Sequence, residues 1–387
     1  MTIGPINSAI ADLNAPPIPI VQNSAKAYDG RCGPLIDLSQ AVPGYAAHPS
    51  LTESLNKAAG RADLLGYGRI EGEMELRRAY SAHVSRVYGS PVTPSETHIT
   101  SGCNQAFVAT ALTVAGPGDS ILLITPFYFN HATTLEMLGI QTKSVPADPE
   151  NGFFPDPDRI AAAITIDVKA VVCVTPNNPT GAIYPASLIE TLYDICVANN
   201  VWLITDETYR DFLPSAQLQP HNLFARSNWR QHFISLYSFS KSFCIPGHRL
   251  GAVAAAEGLI TNLAKVMDNL QICAPRPPQH AVAKGLMELS DWQQENRKEI
   301  DHRRSVLQDV IAGIPQWEIA AIGAYFSYIR HPYNDRTSTQ VAEYLASKRG
   351  VVCLPGAFFG EGQEDYLRFA FANAAGDELK ELAVRLT

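Results

Sequence analysis

From Glu73 onward, side chains recur at helical spacing. Leu76, Ala79, Tyr80, His83, Val84 and Val87 fall on one face, which predicts an amphipathic helix. A series of short apolar runs follows: Ile121–Ile124, Val171–Val174, Val201–Thr205, Phe233–Tyr237 and Ala252–Ala255. Each is too short for a helix and has no polar alternation, so each predicts a strand buried on both faces. Between two of them, Leu188, Leu192, Ile195 and Cys196 mark a helix. Strands alternating with helices need crossover connections, which predicts an α/β fold around a mostly parallel sheet. Such sheets bind ligands outside the carboxyl ends of their strands, so the polar residues that follow the runs are the first candidates for a site.

The pattern changes near residue 285. A charged amphipathic stretch, Asp291–Ile311, leads into mixed strand and helix signals that end near Leu386. This predicts a second, smaller α+β domain. Residues 1–35 are rich in Pro, Asn and Ala and lack a sustained period, so they read as an arm that must pack on something to be ordered. The expected division is an arm with part of the small domain over 1–45, a large domain over 46–284, and a small C-terminal domain over 285–387. A chain of 387 residues fits two domains of unequal size.

Composition narrows the function classes. Hydrophobic residues at 46% and charged residues at 18% describe an ordinary globule. The net charge of −8 is spread without basic blocks, which argues against nucleic acid as a partner. The seven cysteines are scattered and form no CxxC pair. They read as free thiols in a reducing compartment, with no disulfide framework and no metal site. No secretory signal and no run of 18 apolar residues is visible, so the cytoplasm is expected and a membrane is not.

Three segments follow predicted strand ends: Thr175-Pro-Asn-Asn178-Pro-Thr-Gly181, Thr205-Asp206-Glu-Thr-Tyr209, and Ser238-Phe-Ser-Lys241 running on to Arg249. Alone, each could be a turn, a helix cap or a solvated lysine. In this order, the combination Asn-Pro-Thr-Gly, Asp-x-x-Tyr and Ser-x-x-Lys-x7-Arg resembles the fold-type I pyridoxal-phosphate (PLP) enzymes, specifically the class I/II aminotransferases. Leu65-Gly-Tyr67-Gly68, Ser101-Gly102-Cys103-Asn104-Gln-Ala106 and Tyr366-Leu-Arg368-Phe-Ala370 extend the resemblance over roughly residues 35–375. It implies the PLP-dependent transferase fold, with a seven-stranded-type sheet between helices and a smaller α+β domain.

The resemblance also implies roles. Lys241 would hold PLP as a Schiff base and, once freed, move the proton at the substrate Cα, which requires a lowered pKa. Asp206 would keep the ring nitrogen protonated, while Asn178 and Tyr209 would donate to the ring's 3′ oxygen. Gly102, Cys103 and Asn104 at a helix start, with Ser238 and Arg249, would hold the phosphate. Cys103 stands where relatives have another small residue, and it reads as a packed thiol. Tyr128 would stack on the ring. Tyr67 would reach the partner subunit's phosphate, which implies a homodimer. Arg368 would clamp the substrate α-carboxylate. Ala41 and Val42, where many relatives have Gly-x, would line and slightly narrow the substrate wall.

The expected reaction is transfer of an amino group between an amino acid and a 2-oxo acid. Lyases and cyclopropane-forming synthases of the same fold are the alternative, and a non-catalytic PLP-binding sensor is a remote one. Arg276 lies in the proline-rich stretch 273–279, which reads as a rigid turn. It is a candidate for binding an acidic side chain, against the plainer reading of an interface ion pair or a contact near the phosphate.

Overall fold

The computed structural model describes residues 4–214, 217 and 219–387. Its larger sheet has seven strands: β1 (Thr97–Thr100), β2 (Ser120–Thr125), β3 (Gln141–Pro146), β4 (Val168–Val174), β5 (Trp202–Asp206), β6 (Phe233–Ser238) and β7 (Gly251–Ala254). Their spatial order is β1-β7-β6-β5-β4-β2-β3. Only β7 runs against its neighbours; the pairs from β6 to β3 are parallel.

The continuous apolar runs have a direct cause. Leu122 and Ile124 of β2 point into one core layer, and Ile121 and Leu123 into the layer on the other face. The same split holds in β5, where Leu203 and Ile204 face opposite ways and are both fully buried. Each such side chain contributes about 1.5–3 kcal/mol by leaving water. The covering helices include α1 (Pro49–Ala59), α2 (Met74–Tyr88), α3 (Cys103–Val114), α4 (Phe129–Met137), α5 (Ala186–Ala198) and α6 (Glu257–Leu270). Two strands escape the sequence pattern. In β1, Thr-His-Ile-Thr has one aliphatic residue yet is wholly buried, and β3 is a largely exposed edge strand carrying Gln141, Lys143 and Ser144. Polar residues on an edge discourage pairing with other chains.

The smaller sheet is antiparallel. It comprises β8 (Glu318–Gly323), β9 (Phe326–Arg330), β10 (Leu354–Pro355) and β11 (Tyr366–Phe369), in the order β10-β11-β9-β8. Its own core gathers Leu307, Ile329, Val341 and Leu367. The two sheets are bridged by helix rather than by a loose linker. Residue 284 lies within α7 (Arg276–Glu288), and the 23-residue α8 (Ser290–Ala312) starts with Trp292 against the large core and continues with Ile300, Leu307 and Ile311 in the small one.

The N-terminal arm is more regular than its composition suggests. Residues Pro17–Ala25 form a helix, αN, with Val21 buried, and this helix packs on the helical segment Ser338–Arg349. Beyond it, Tyr28 lies against Gly350, and Ile36–Asp37 pairs in parallel with Val351–Val352. The arm therefore finds a packing surface on its own chain.

Candidate active site

Strands β4, β5 and β6 end together, with Val174 opposite Asp206 and Asp206 opposite Leu236. The chain just past these ends brings Asn178, Asp206, Tyr209, Ser238 and Lys241 to one edge of the sheet. They line a cavity of about 280 Å³, to which the smaller sheet adds Arg368 and αN adds Ile18.

One end of this cleft suits an anion. Gly102 precedes α3 at φ 86°, and a side chain there would drive into the Arg249 guanidinium. The first N–H groups of α3 lack acceptors within the helix, and its dipole adds partial positive charge. Arg249 is held by the carbonyls of Pro246 (3.0 Å) and Ser101 (3.3 Å). The Ser238 hydroxyl accepts from the Ser240 amide at 3.3 Å.

Deeper in, Asp206 is 5% exposed. Its Oδ1 accepts from the Thr208 amide (3.1 Å) and hydroxyl (2.7 Å), and its Oδ2 lies 3.3 Å from His131 Nε2. Burial would raise its pKa, but the His131 and Thr208 donors outweigh burial and leave the carboxyl below its ordinary value. His131 is itself clamped, its ring 4.1 Å from that of Phe107. Asn130 donates to the Tyr128 hydroxyl at 2.8 Å. The Cys103 thiol is buried and its pKa is pushed far up, first by burial and then by the Asp206 charge, so it stays a packed thiol.

Lys241 sits in a short helix, Phe239–Ser242, and donates to the Ala41 carbonyl. Burial, followed by the positive charges of Arg368 and Arg249, lowers its pKa to about 8. Arg368 projects from β11, donates to Asn178 Oδ1 at 2.9 Å and to the Ser39 carbonyl, and leaves its buried Nε without a partner among the described residues. Burial draws its pKa down to about 10, which still leaves it cationic at neutral pH. Tyr209 is packed between Tyr325 and Phe326, and burial raises its pKa well above the ordinary tyrosine value.

Most of the residues singled out from the sequence meet here: Ala41, Cys103, Asn104, Tyr128, Asn178, Asp206, Tyr209, Ser238, Lys241, Arg249 and Arg368 line the cleft, with Gly102 against Arg249. Val42 does not line it. Tyr67 stands 81% exposed on the surface, outside its own chain's cleft.

Arg276 corrects an expectation. The proline-rich stretch is not a separate rigid turn but the start of α7, because prolines cost little in a helix's first turn. Its guanidinium is committed to Glu73 (2.6 Å) and to the carbonyls of Asp63 (2.8 Å) and Gly66 (3.2 Å), away from its own cleft. Ile18, His131, Thr208 and Ser240 are site residues that the sequence reading passed over. Thr208 and Ser240 lay within the quoted motifs, and His131 lies one helical turn past Tyr128, but Ile18 carries no local signal.

Among the described residues no helix is long and apolar enough to cross a membrane, and no cluster of three or more potential metal ligands occurs. A family model described as aminotransferase class I and II matches residues 34–386. The aromatic aminotransferase ISS1 of Arabidopsis thaliana is 29% identical over 91% of this chain and 88% of its own length. An aspartate aminotransferase of Pyrococcus abyssi is 27% identical over 91% and 90%. Among solved structures, a double mutant of Thermus thermophilus aspartate aminotransferase superposes with a TM-score of 0.91 over 99% of both chains at 24% identity. With the match running through both sheets and every segment that lines the cleft beyond αN, the chain belongs to the class I and II aminotransferases, enzymes that depend on pyridoxal phosphate.

Proposed function

We propose that this aminotransferase takes its amino group from a monocarboxylic L-amino acid with an apolar or aromatic side chain and passes it to a 2-oxo acid. The observation that carries this reading is the cation inventory of the cleft. Among the described residues that line it, the cationic side chains are Lys241, Arg249 and Arg368. Each has a task, leaving no cation among these lining residues for a second substrate carboxylate, which would be costly to bury unpaired. Ile18, Ala41 and Phe129 supply apolar wall instead.

The residues present fit the cofactor. The α3 start and Arg249 suit a phosphate, and a methyl at Gly102 would occupy that cradle. Asp206, held ionised by its donors, suits a protonated ring nitrogen. Pyridoxal phosphate supplies, when bound, an electron sink conjugated to the substrate Cα. Lys241 is the amine that would hold it covalently, and its depressed pKa equips the freed amine to take and return the Cα proton. Asn178 and Tyr209 would donate toward the ring oxygen, Tyr128 would lie against the ring face, and Arg368 would bind the α-carboxylate in bidentate fashion.

The working unit we propose is a homodimer. Leu65 and Tyr67 are 76% and 81% exposed on one turn, large side chains suited to a second copy's surface. We assign it to the cytoplasm, a reading supported by seven free cysteines.

A single-turnover panel of amino acids, read from the loss of the bound-cofactor absorbance, tests the donor class. Aromatic and aliphatic donors are expected to react with higher kcat/KM than aspartate or glutamate. A preference for the dicarboxylic donors would overturn the assignment and leave the reaction class intact.

A further inference from the structure

A second cavity, of about 520 Å³, lies between the C-terminal half of α2, the residues Arg210, Asp211, Leu213 and Gln219, and the first turns of α8. Its charge is lopsided. Arg86, Arg210 and Arg297 line it, against one carboxylate, Asp211, so the formal balance is 3 − 1 = +2 with His83 neutral. Burial lowers the His83 pKa to about 4, which keeps it neutral at physiological pH.

Several donors around this cavity lack acceptors among the described residues. Arg210 is 3% exposed, and all three of its guanidinium nitrogens lack a hydrogen-bond acceptor among the described residues. Its closest carboxylate oxygen, on Glu207, is 3.7 Å away and already serves Tyr88 (2.7 Å) and Ser235 (2.6 Å). The other Glu207 oxygen is engaged by His221 at 2.7 Å. The guanidinium rests 4.0 Å from the Tyr237 ring, and an aromatic face steadies a cation without accepting its N–H groups. His83 Nδ1 accepts from Arg86 at 3.2 Å, which puts the imidazole proton on Nε2, a buried atom with no partner among the described residues. Among the described residues the buried Nε of Arg297 has none either. Buried donors without acceptors are costly, and here they gather around one cavity.

The same cavity touches the catalytic segment. Asp211 accepts from the Tyr237 hydroxyl, which lies 2.7 Å from the Ser242 hydroxyl, and Gln293 donates to the Ser242 carbonyl at 3.4 Å. Ser242 follows Lys241, and Arg210 follows Tyr209.

We propose that this cavity is a binding site for a phosphate dianion, free or as the monoester of a small metabolite, and that its occupancy is felt at Lys241 through Asp211, Tyr237 and Ser242. Arg86 and Arg297 would grip the oxyanion, His83 Nε2 would donate to it, and Arg210 beneath them supplies charge that a dianion neutralises.

The test uses the PLP-loaded enzyme, so that the cofactor's own phosphate site is filled. Inorganic phosphate and methyl phosphate are titrated calorimetrically, with succinate as the carboxylate comparison. Saturable binding is expected, weakened about 10-fold or more in Arg297→Gln and in Arg86→Gln, as for loss of a charged hydrogen bond. Ser290→Glu, at the exposed start of α8 on the cavity rim, removes no contact and places a like charge where the anion enters. It should abolish binding while near-ultraviolet dichroism stays that of the wild type. Phosphate should also shift the amino-donor KM about 5-fold in wild type and not in Ser290→Glu. Absent binding, equal affinity in all variants, or tighter binding of succinate overturns the site or its ligand class. Binding with an unchanged KM overturns the coupling. Normal amino transfer throughout these outcomes would leave the enzyme assignment untouched.

Discussion

Arg368 and Asn178 meet between the two sheets: the guanidinium, carried on a strand of the smaller sheet, donates to the side-chain oxygen of Asn178, just past a strand of the larger one, at 2.9 Å. Two N–H directions of Arg368 are thus fixed, one by Asn178 and one by the Ser39 carbonyl, while its Nε remains unpaired among the described residues. The arginine is held in place before any substrate arrives, which reduces the entropy lost on binding a carboxylate.

Arg368→Lys keeps the charge and loses the planar fork. It should lower kcat/KM by about 10²-fold for every amino acid, mainly through KM, with the bound-cofactor spectrum intact. Steady-state kinetics over several donors check this. A loss confined to one donor class would mean that Arg368 reads the side chain instead.

Lys241 is the second point of leverage. In the folded, cofactor-free protein its pKa is about 8, against 10.5 for an ordinary lysine. Between those values the unfolded chain binds the extra proton, so stability rises with pH across this window. Below about pH 8 the full cost of a buried ammonium is present. Lys241→Met should therefore raise the Tm of the cofactor-free protein at pH 7 by ~2 °C or more. The gap should close as pH climbs from 8 to 10.5. Calorimetric scans across that range decide it, and a gap independent of pH would show that the lysine is not held against its charge.

How legible this site was in the sequence depended on how local each residue's signal is. Asp206, Tyr209 and Lys241 directly follow apolar runs that can only be buried strands, so their placement at a sheet edge followed from topology. Ile18 had no such anchor: it reaches the cleft because αN packs on the segment Ser338–Arg349, far along the chain. His131 was hidden for another reason. A lone histidine on a helix face is usually just packed, and only the tertiary approach of α4 to β5 sets it beside Asp206. The strands β1 and β3 were invisible because one is buried with polar side chains and the other is an exposed edge, so neither follows the apolar pattern.

Thr208 offers a pH test of the Asp206 assignment. Its amide and hydroxyl help hold the carboxyl below its ordinary value against burial. Thr208→Val removes the hydroxyl and keeps the shape, so the Asp206 pKa should rise. The acid limb of the kcat/KM profile should move up by about one pH unit. A depressed carboxylate pKa stabilises the fold above its unfolded value and ceases to do so as pH falls through the folded one. The variant's stability deficit should thus be present at neutral pH and shrink in acid. An unmoved acid limb would detach Asp206 from the rate.

Arg276 supplies the last prediction, because the structure gives it a task that a dicarboxylic substrate would not share. Its guanidinium ties the Asp63 and Gly66 carbonyls to Glu73, and so braces the turn that presents Tyr67. If Tyr67 serves the partner subunit's phosphate, the arginine acts as a positioning residue for the cofactor, at one remove. Arg276→Ala should then weaken cofactor affinity and lower kcat/KM by the same factor, about 10-fold, for monocarboxylic and dicarboxylic donors alike. Glu73→Gln, which removes the charge at the other end of the 2.6 Å pair, should reproduce part of the loss, and the double variant should cost less than the two single losses combined. A defect restricted to dicarboxylic donors would instead put Arg276 at the substrate side chain in the assembled enzyme. The donor-by-donor ratio of kcat/KM separates the two, since a brace for the cofactor treats every substrate the same.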